Sequence, residues 1–105
     1  MPFKEASLVQ SIRAAVKRYY PLAVVRKLAD RSTRGLPDLV ILFRRKPEYV
    51  DGSGTLWVET KTDKGRCSAI QDAEHHCIER AGGVVIVARD VTTVLAKLEE
   101  LGAQP

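Results

Sequence analysis

Two short strings of residues in this sequence combine side chains that could carry out hydrolytic chemistry. Gly35-Leu36-Pro37-Asp38 comes directly before one apolar run, and Glu59-Thr60-Lys61 comes directly after another. Short apolar runs bounded by Gly, Pro and charged residues are typical of buried strands. Neighbouring strands would hold two carboxylates and one ammonium group close together, which is costly unless a metal ion or an anion completes the set. Metal-assisted phosphodiester hydrolysis is therefore the leading hypothesis.

Strand geometry and ligand chemistry suggest a role for each of these residues. Side chains alternate across a strand, so Glu59 and Lys61 share one face. Magnesium prefers oxygen ligands and usually takes one or two protein carboxylates. We predict that Asp38 and Glu59 are its ligands, with the Thr60 backbone carbonyl as a third. Lys61 would orient the attacking water or stabilise charge in the transition state, and Glu5 in the first helix is a further candidate for the same metal.

Each signal also has a structural explanation when it is taken alone. Glu-x-Lys is typical of an exposed strand face with alternating charge, and Asp is common at turns and strand starts. The carboxylate of Glu5 would favour the dipole of its helix. Gln71 completes a capping box with Ser68, which favours a structural role. The functional interpretation rests on finding both strings together, each beside an apolar strand, with a basic hairpin before the site.

Seven elements in the order α-β-β-β-α-β-α would position these residues. They are a helix over 4–18, strands over 22–28, 38–43 and 55–61, a helix from Ser68 to Gly82, a strand over 84–88 and a helix capped by Asp90. The first two strands could form a hairpin. The apolar strand 84–88 is expected at the centre of the sheet. Strand, helix and strand in succession predict an α/β layer fold with a mixed sheet.

Helical spacing predicts the buried faces of the first two helices. The stripe of the first helix comprises Leu8, Ile12, Ala15, Val16 and Tyr19. The stripe of the second helix comprises Ile70, Ala73, Cys77, Ile78 and Ala81.

Histidine and cysteine residues do not predict a zinc site. The spacing of Cys67, Cys77, His75 and His76 matches no usual zinc pattern. Cys77 belongs to a predicted buried stripe, and both histidines are expected on the exposed side of the second helix.

Composition predicts one domain over residues 1–105 in a reducing compartment. The chain has 105 residues and two cysteines, Cys67 and Cys77, which we interpret as reduced thiols. The first residues do not resemble a signal peptide, and no apolar run reaches the ~20 residues that a membrane span needs. We expect a cytoplasmic protein, in a bacterium or a phage-infected cell, with no membrane partner. Without a Gly-rich phosphate loop or a nucleophile elbow, we predict no nucleotide cofactor and no serine hydrolase.

The distribution of charge favours a polyanionic partner. Seventeen basic residues against thirteen acidic ones give a formal net charge of +4, and basic clusters lie on both sides of the Asp38 strand and after Lys61. Beside a carboxylate site such clusters are interpreted as phosphate-positioning groups. The candidate DNA-binding residues are Arg31, Arg34, Gly35, Arg44, Lys64 and Arg66.

Taken together, these motifs resemble the VRR-NUC family of the PD-(D/E)xK nuclease superfamily. The resemblance rests on Glu5, Gly35-x-Pro37-Asp38, Glu59-x-Lys61, Gln71 with its Gly65-to-Ser68 lead-in, and the Ala81-Gly82-Gly83 step into a Val-rich strand. It implies a restriction-endonuclease-like three-layer core with a mixed sheet flanked by helices. It also implies Mg²⁺- or Mn²⁺-dependent DNA cleavage.

By the same resemblance, each motif residue has an expected function. Asp38 and Glu59 would be metal ligands, Lys61 the catalytic lysine and Glu5 an accessory acid. Gln71 would be a site residue, a role that could coexist with capping.

The resemblance also suggests a substrate and an assembly. Stand-alone members look like phage or bacterial homodimers that cut branched DNA, so four-way (Holliday) junctions are the expected substrate by analogy. Two alternatives stay open. One is a nuclease for flaps or unbranched DNA, and the other is a DNA-binding module that has the nuclease fold but does not cut.

Overall fold

The seven predicted elements are all present and follow one another in the predicted order. The computed structural model describes residues 5–30, 32–50 and 52–105, except for the Glu5 side chain. The elements are α1 (Glu5–Tyr19), β1 (Val24–Lys27), β2 (Leu39–Arg44), β3 (Ser53–Thr60), α2 (Ala69–Arg80), β4 (Val84–Ala88) and α3 (Val91–Glu100). None of these described helices is long and apolar enough to cross a bilayer.

The four strands form one mixed sheet in the order β1-β2-β3-β4. β1 pairs antiparallel with β2, as the predicted hairpin requires, and β2 pairs antiparallel with β3. β3 and β4 are parallel and are joined through α2. This arrangement confirms the predicted α/β fold with a mixed sheet.

The predicted central position of β4 is wrong, since β4 lies at one edge of the sheet. Its apolar sequence has a different cause, because α2 and α3 both pack against it. An apolar run indicates that helices pack against a strand, but it does not report how many strands lie beside it.

The apolar core lies between the sheet and helices α1 and α3. Leu39 and Ile41 of β2 pair with Val58 and Leu56 of β3, and all four side chains are fully buried. The core includes Leu8, Ile12 and Val16 from α1, and Val94 and Leu98 from α3. Tyr19 is half exposed instead of belonging to the α1 stripe, and Tyr20 is buried beyond the helix end.

The predicted buried stripe of α2 is wrong. Ile70 is 41% exposed, Ala73, Cys77 and Ala81 are also exposed, and Ile78 is half-buried. The buried residue of this helix is His75, which is 7% exposed. The helix therefore turns a polar face inwards. The reason lies in the end of the sheet that it covers, where Glu59 needs polar partners.

Both predicted helix caps are confirmed. The Ser68 hydroxyl accepts a hydrogen bond from the Gln71 N–H at 3.2 Å, and the Gln71 side chain accepts one from the Ser68 N–H at 2.9 Å. Asp90 caps α3 by accepting a hydrogen bond from the Thr93 N–H at 2.8 Å. The Ser68 cap also fixes where α2 begins relative to the end of β3.

Candidate active site

The start of β2 and the end of β3 bring the two predicted carboxylates to the same end of the two central strands. Leu39 pairs with Val58, so the next residues along the two strands are Asp38 and Glu59. Glu59 is 2% exposed, whereas Asp38 is half-buried. The hairpin register therefore produces the juxtaposition that the sequence predicts.

Asp38 is held in place by Thr60. Its Oδ2 atom accepts a hydrogen bond from the Thr60 N–H at 2.8 Å and another from the Thr60 hydroxyl at 2.6 Å. Thr60 itself is 1% exposed. Two donors from one rigid strand residue fix the orientation of the carboxylate, a contact that the sequence analysis did not predict. Among the described residues, no hydrogen bond is donated to the other oxygen, Oδ1.

The backbone of β3 alternates between its two neighbours at this point. The Lys61 N–H donates to the Ala88 carbonyl of β4 at 3.0 Å, while the Thr60 N–H faces Asp38. In regular strand geometry, the N–H and C=O of one residue point to the same side. We therefore expect the Thr60 carbonyl to face the Asp38 side as well, as its predicted role requires.

Within residues 5–30, 32–50 and 52–105, polar side chains from β3 and α2 lie close to the buried carboxylate of Glu59. Gln71 Nε2 donates a hydrogen bond to Glu59 Oε2 at 3.2 Å. Lys61 Nζ lies 3.8 Å from the same oxygen, and His75 Nε2 lies 3.7 Å from Oε1. A carboxylate buried to this degree needs such compensation. Both of these longer distances exceed hydrogen-bond range, and the Lys61 ammonium brings positive charge close to Glu59.

Gln71 combines the two roles that the sequence left as alternatives. Its Oε1 accepts the N–H of Ser68 while its Nε2 donates to Glu59. One amide thus ties the start of α2 to the end of β3. The capping box fixes the rotamer that points the amide nitrogen at Glu59.

Gly35 is required where the turn before β2 meets the start of α2. Its φ angle is +80°, and a Cβ atom there would lie 2.6 Å from the Ile70 carbonyl oxygen. Any other residue would be strained and would push the turn away from the helix. The predicted importance of Gly35 therefore has a packing explanation that needs no contact with DNA.

An open pocket with three basic side chains lies on the other side of Lys61 and Gln71, two residues that contact Glu59. It has a volume of about 450 Å³, and its lining includes Arg34, Lys61, Arg66 and Gln71. Lys64 is exposed on the loop that joins β3 to α2. Arg44 lies at the other end of β2, about 20 Å from Asp38 at normal strand rise. Two further predicted site residues, Arg31 and the Glu5 side chain, lie outside the described residues.

His75 is the site neighbour that the sequence analysis missed. It was expected on the exposed side of α2, but it is buried beside Glu59. A usable signal was present, because His75 follows Gln71 by four residues and side chains at this spacing share one helix face. Once Gln71 is directed at Glu59, His75 must follow it.

Nearby Cys67 has an altered acidity. Burial raises the pKa of the Cys67 thiol, the charge of Lys61 opposes this, and Glu59 and Asp72 add to it. The cysteine therefore lies within electrostatic range of the site, and its thiol is protonated at neutral pH in the metal-free protein.

The set of possible ligand atoms at the end of β2 and β3 fits a hard divalent cation. Asp38 Oδ1, the Glu59 carboxylate and the Thr60 carbonyl supply oxygen atoms only, as Mg²⁺ and Mn²⁺ prefer. The fit is supported by Asp38, whose Oδ2 is fixed by Thr60 while Oδ1 receives no hydrogen bond from the described residues. A rigid, accessible carboxylate oxygen beside a buried carboxylate is suited to holding such an ion.

Comparison with solved structures identifies two neighbours with similar names. One, described as a "VRR_NUC domain protein", has a TM-score of 0.71 and 16% sequence identity, over 94% of this chain and 88% of that one. The other, described as a "VRR_NUC domain", has a TM-score of 0.63 and 28% identity, over 93% of this chain and 97% of that one. No family model and no curated protein matches by sequence. The two structures support the VRR-NUC family and confirm the resemblance predicted from the motifs.

Proposed function

We propose that this VRR-NUC chain is a divalent-metal-dependent endonuclease that hydrolyses phosphodiester bonds in branched DNA, with four-way junctions as the preferred substrate. One observation carries the proposal. A buried Glu59 lies beside the half-buried Asp38 and contacts Gln71 and Lys61, which both line a basic pocket. These are the groups that phosphodiester hydrolysis requires, on a fold shared with VRR_NUC structures.

Asp38, Glu59 and the Thr60 carbonyl would hold the cation, with Glu5 as the further predicted acid. When bound, a divalent cation supplies Lewis-acid stabilisation of negative charge on the phosphate. Mg²⁺ and Mn²⁺ both suit the oxygen donors. Thr60 fixes the direction of the Asp38 carboxylate through its two hydrogen bonds, so less reorganisation is needed when substrate binds.

Lys61 is the candidate for stabilising the transition state. Its side chain is 12% exposed, and its ammonium lies 3.8 Å from Glu59 while also lining the basic pocket. From there it could donate to a phosphate oxygen or orient the attacking water. Gln71 would keep Glu59 in one orientation, because its amide is held by the start of α2.

The substrate is inferred from charge and from the family resemblance. Arg34 and Arg66 line the pocket beside Lys61, where they could contact DNA phosphates without reading sequence. The preference for branched DNA rests on the resemblance to stand-alone VRR-NUC proteins. It implies a homodimer, in which two sites could cut two strands.

The test is cleavage of an end-labelled four-way junction, a 5′ flap and a plain duplex, each with Mg²⁺, Mn²⁺ or EDTA. Asp38→Asn and Lys61→Ala are compared with the parent protein. We expect paired cuts in the junction that require the metal. Both variants should lose cleavage by roughly 100-fold or more, while retaining the fold and measurable DNA binding.

Each other result has a defined meaning. Cleavage by Asp38→Asn at the parent rate would show that the site is assigned incorrectly. Equal cutting of all three substrates would retain the nuclease and remove the junction preference. Binding without products in either metal would indicate a DNA-binding module with a nuclease fold.

A further inference from the structure

Beside the proposed oxygen site, a second group of potential ligands has a different chemistry. Cys67, Asp72 and His75 each offer one ligand atom, and these atoms all lie within 4.8 Å of one another. The group unites a thiol, a carboxylate and an imidazole. Hard cations such as Mg²⁺ prefer oxygen ligands alone, whereas this donor set suits Zn²⁺ and similar thiophilic cations.

The start of α2 brings the three residues together. Cys67 directly precedes the N-cap Ser68, whose hydrogen bonds with Gln71 fix the path of the chain into the helix. Asp72 and His75 are three residues apart in α2, so they share a face and lie one turn from each other. The capping box thus places the thiol next to that face.

His75 provides an independent indication of a ligand. It is 7% exposed, and its Nε2 atom has no hydrogen-bond partner within the described part of the chain. Its contact with Glu59 at 3.7 Å is too long for a hydrogen bond. A buried imidazole nitrogen without a partner is costly. A cation bound at this nitrogen would satisfy it.

We propose that Cys67, Asp72 and His75 form a site for one thiophilic divalent cation, with Zn²⁺ as the best fit. In tetrahedral zinc sites, ligand atoms lie about 3.2–3.8 Å apart, so the group would need to close by no more than roughly 1–1.6 Å. Cys67 lies on a loop and the Asp72 side chain is exposed, which leaves both free to make this adjustment. Binding would replace the thiol proton, which passes to solvent.

Co²⁺ binding to the 105-residue chain, after removal of metals with a chelator, provides a direct test. Thiolate-bound Co²⁺ has a charge-transfer absorption in the near ultraviolet, which oxygen ligands do not produce. We expect this absorption to saturate at one Co²⁺ per chain and to disappear when Zn²⁺ is added. Zn²⁺ should also protect Cys67 from alkylation while Cys77 in the same molecule continues to react.

Matched control residues, Cys77 and His76, are available in α2. Cys67→Ser and His75→Gln should weaken Co²⁺ and Zn²⁺ binding by about tenfold or more and remove the thiolate absorption. Cys77→Ser and His76→Gln should keep both, because Cys77 and His76 are exposed and lie outside the group. Circular dichroism checks the fold. If burial makes His75→Gln unstable, Cys67→Ser and Asp72→Asn decide the outcome.

The proposal is overturned if the parent shows no thiolate absorption, if Cys67→Ser binds as the parent does, or if Cys77→Ser loses binding equally. The readout does not depend on DNA cleavage. Asp38→Asn should lose cleavage and keep the thiolate absorption. Cleavage therefore tests the nuclease proposal, and the thiolate absorption tests the zinc proposal independently.

Discussion

The two faces of β3 serve different purposes, although they are made by alternate residues of one strand. Leu56 and Val58 are fully buried in the core shared with α1 and α3. The alternate residues Trp57 and Glu59 belong to the opposite face, which α2 covers. There Glu59 contacts Gln71 and His75. One face gains stability from apolar burial, whereas the other buries a charge at some cost to stability.

This contrast indicates how a small domain can hold a reactive site. The core face is rigid and closely packed, so it can fix the β2–β3 register that brings Asp38 beside Glu59. The opposite face can then be covered by a helix with a polar inner side. Mutations on the two faces should therefore separate stability from activity.

The largest expected effects on cleavage and stability come from two separate substitutions, one on each face of β3. Glu59→Gln removes a proposed metal ligand but conserves size, so cleavage should fall by roughly 100-fold or more while the free energy of unfolding stays the same or rises. Leu56→Ala should lower the free energy of unfolding by about 2–5 kcal/mol. Urea unfolding and cleavage rates, measured on both variants, test the separation.

One result would contradict this separation of stability from activity on the two faces of β3. If Glu59→Gln unfolds at lower urea concentration by as much as Leu56→Ala does, the carboxylate has a structural role. In that case the loss of cleavage would report instability instead of lost chemistry.

Sequence patterns predicted the core face better than the α2 face, for a physical reason. Apolar spacing identifies Leu8, Ile12 and Val16 because these residues gain free energy by leaving water. The same rule selects Ile70 and Cys77 in α2, yet both are exposed. The inward face of this helix is chosen by the need of Glu59 for partners, which apolar spacing does not report.

The juxtaposition of the candidate site residues was predictable where two types of signal coincide. Asp38 and Glu59 were predicted because each adjoins an apolar strand, and the register brings them together. The Thr60 hydroxyl and His75 were missed, since their roles depend on three-dimensional contacts with Asp38 and Glu59. The group of Cys67, Asp72 and His75 does not stand out in the sequence, because usual zinc patterns consist mainly of Cys and His, whereas its third member is an aspartate.

A smaller effect should distinguish the basic pocket from the rest of the basic surface. Arg34→Ala and Arg66→Ala should each weaken binding to all DNA sequences and flatten its salt dependence by about one unit of slope. Arg44→Ala should act only on DNA longer than about 6 base pairs, since Arg44 lies about 20 Å from Asp38. Fluorescence anisotropy at several salt concentrations measures these effects.

Arg80 supplies the control for this experiment. It lies in the last turn of α2, nine residues beyond Gln71 and about 14 Å along the helix. Arg80→Ala removes the same charge away from the pocket, so its salt slope should match that of the parent. An equal loss in Arg80→Ala would mean that net charge alone drives binding. A loss confined to one DNA sequence would contradict phosphate contacts.

The smallest effect concerns the helix on the core side of the sheet. Asp90 caps α3 by accepting hydrogen bonds from the Thr93 N–H and hydroxyl at 2.8 Å and 2.7 Å. Asp90→Ala should lower the free energy of unfolding by about 1 kcal/mol without changing the cleavage rate per folded molecule. Asp90→Asn, which preserves an N-cap acceptor, should retain most of the parent stability at neutral pH.

The effect of pH separates the charge of this cap from its hydrogen bonds. The bonds from the Thr93 hydroxyl and N–H lower the pKa of Asp90 in the folded protein. A folded-state pKa below the unfolded value of about 3.9 means that the stabilisation is complete above that value. It is lost as the pH falls through the folded pKa. The difference in free energy of unfolding between the parent and Asp90→Asn should therefore become smaller in acid. Urea unfolding of both proteins at neutral and acidic pH measures it. A gap that widens in acid would show that the carboxylate is destabilised by folding, contrary to the hydrogen bonds that it accepts.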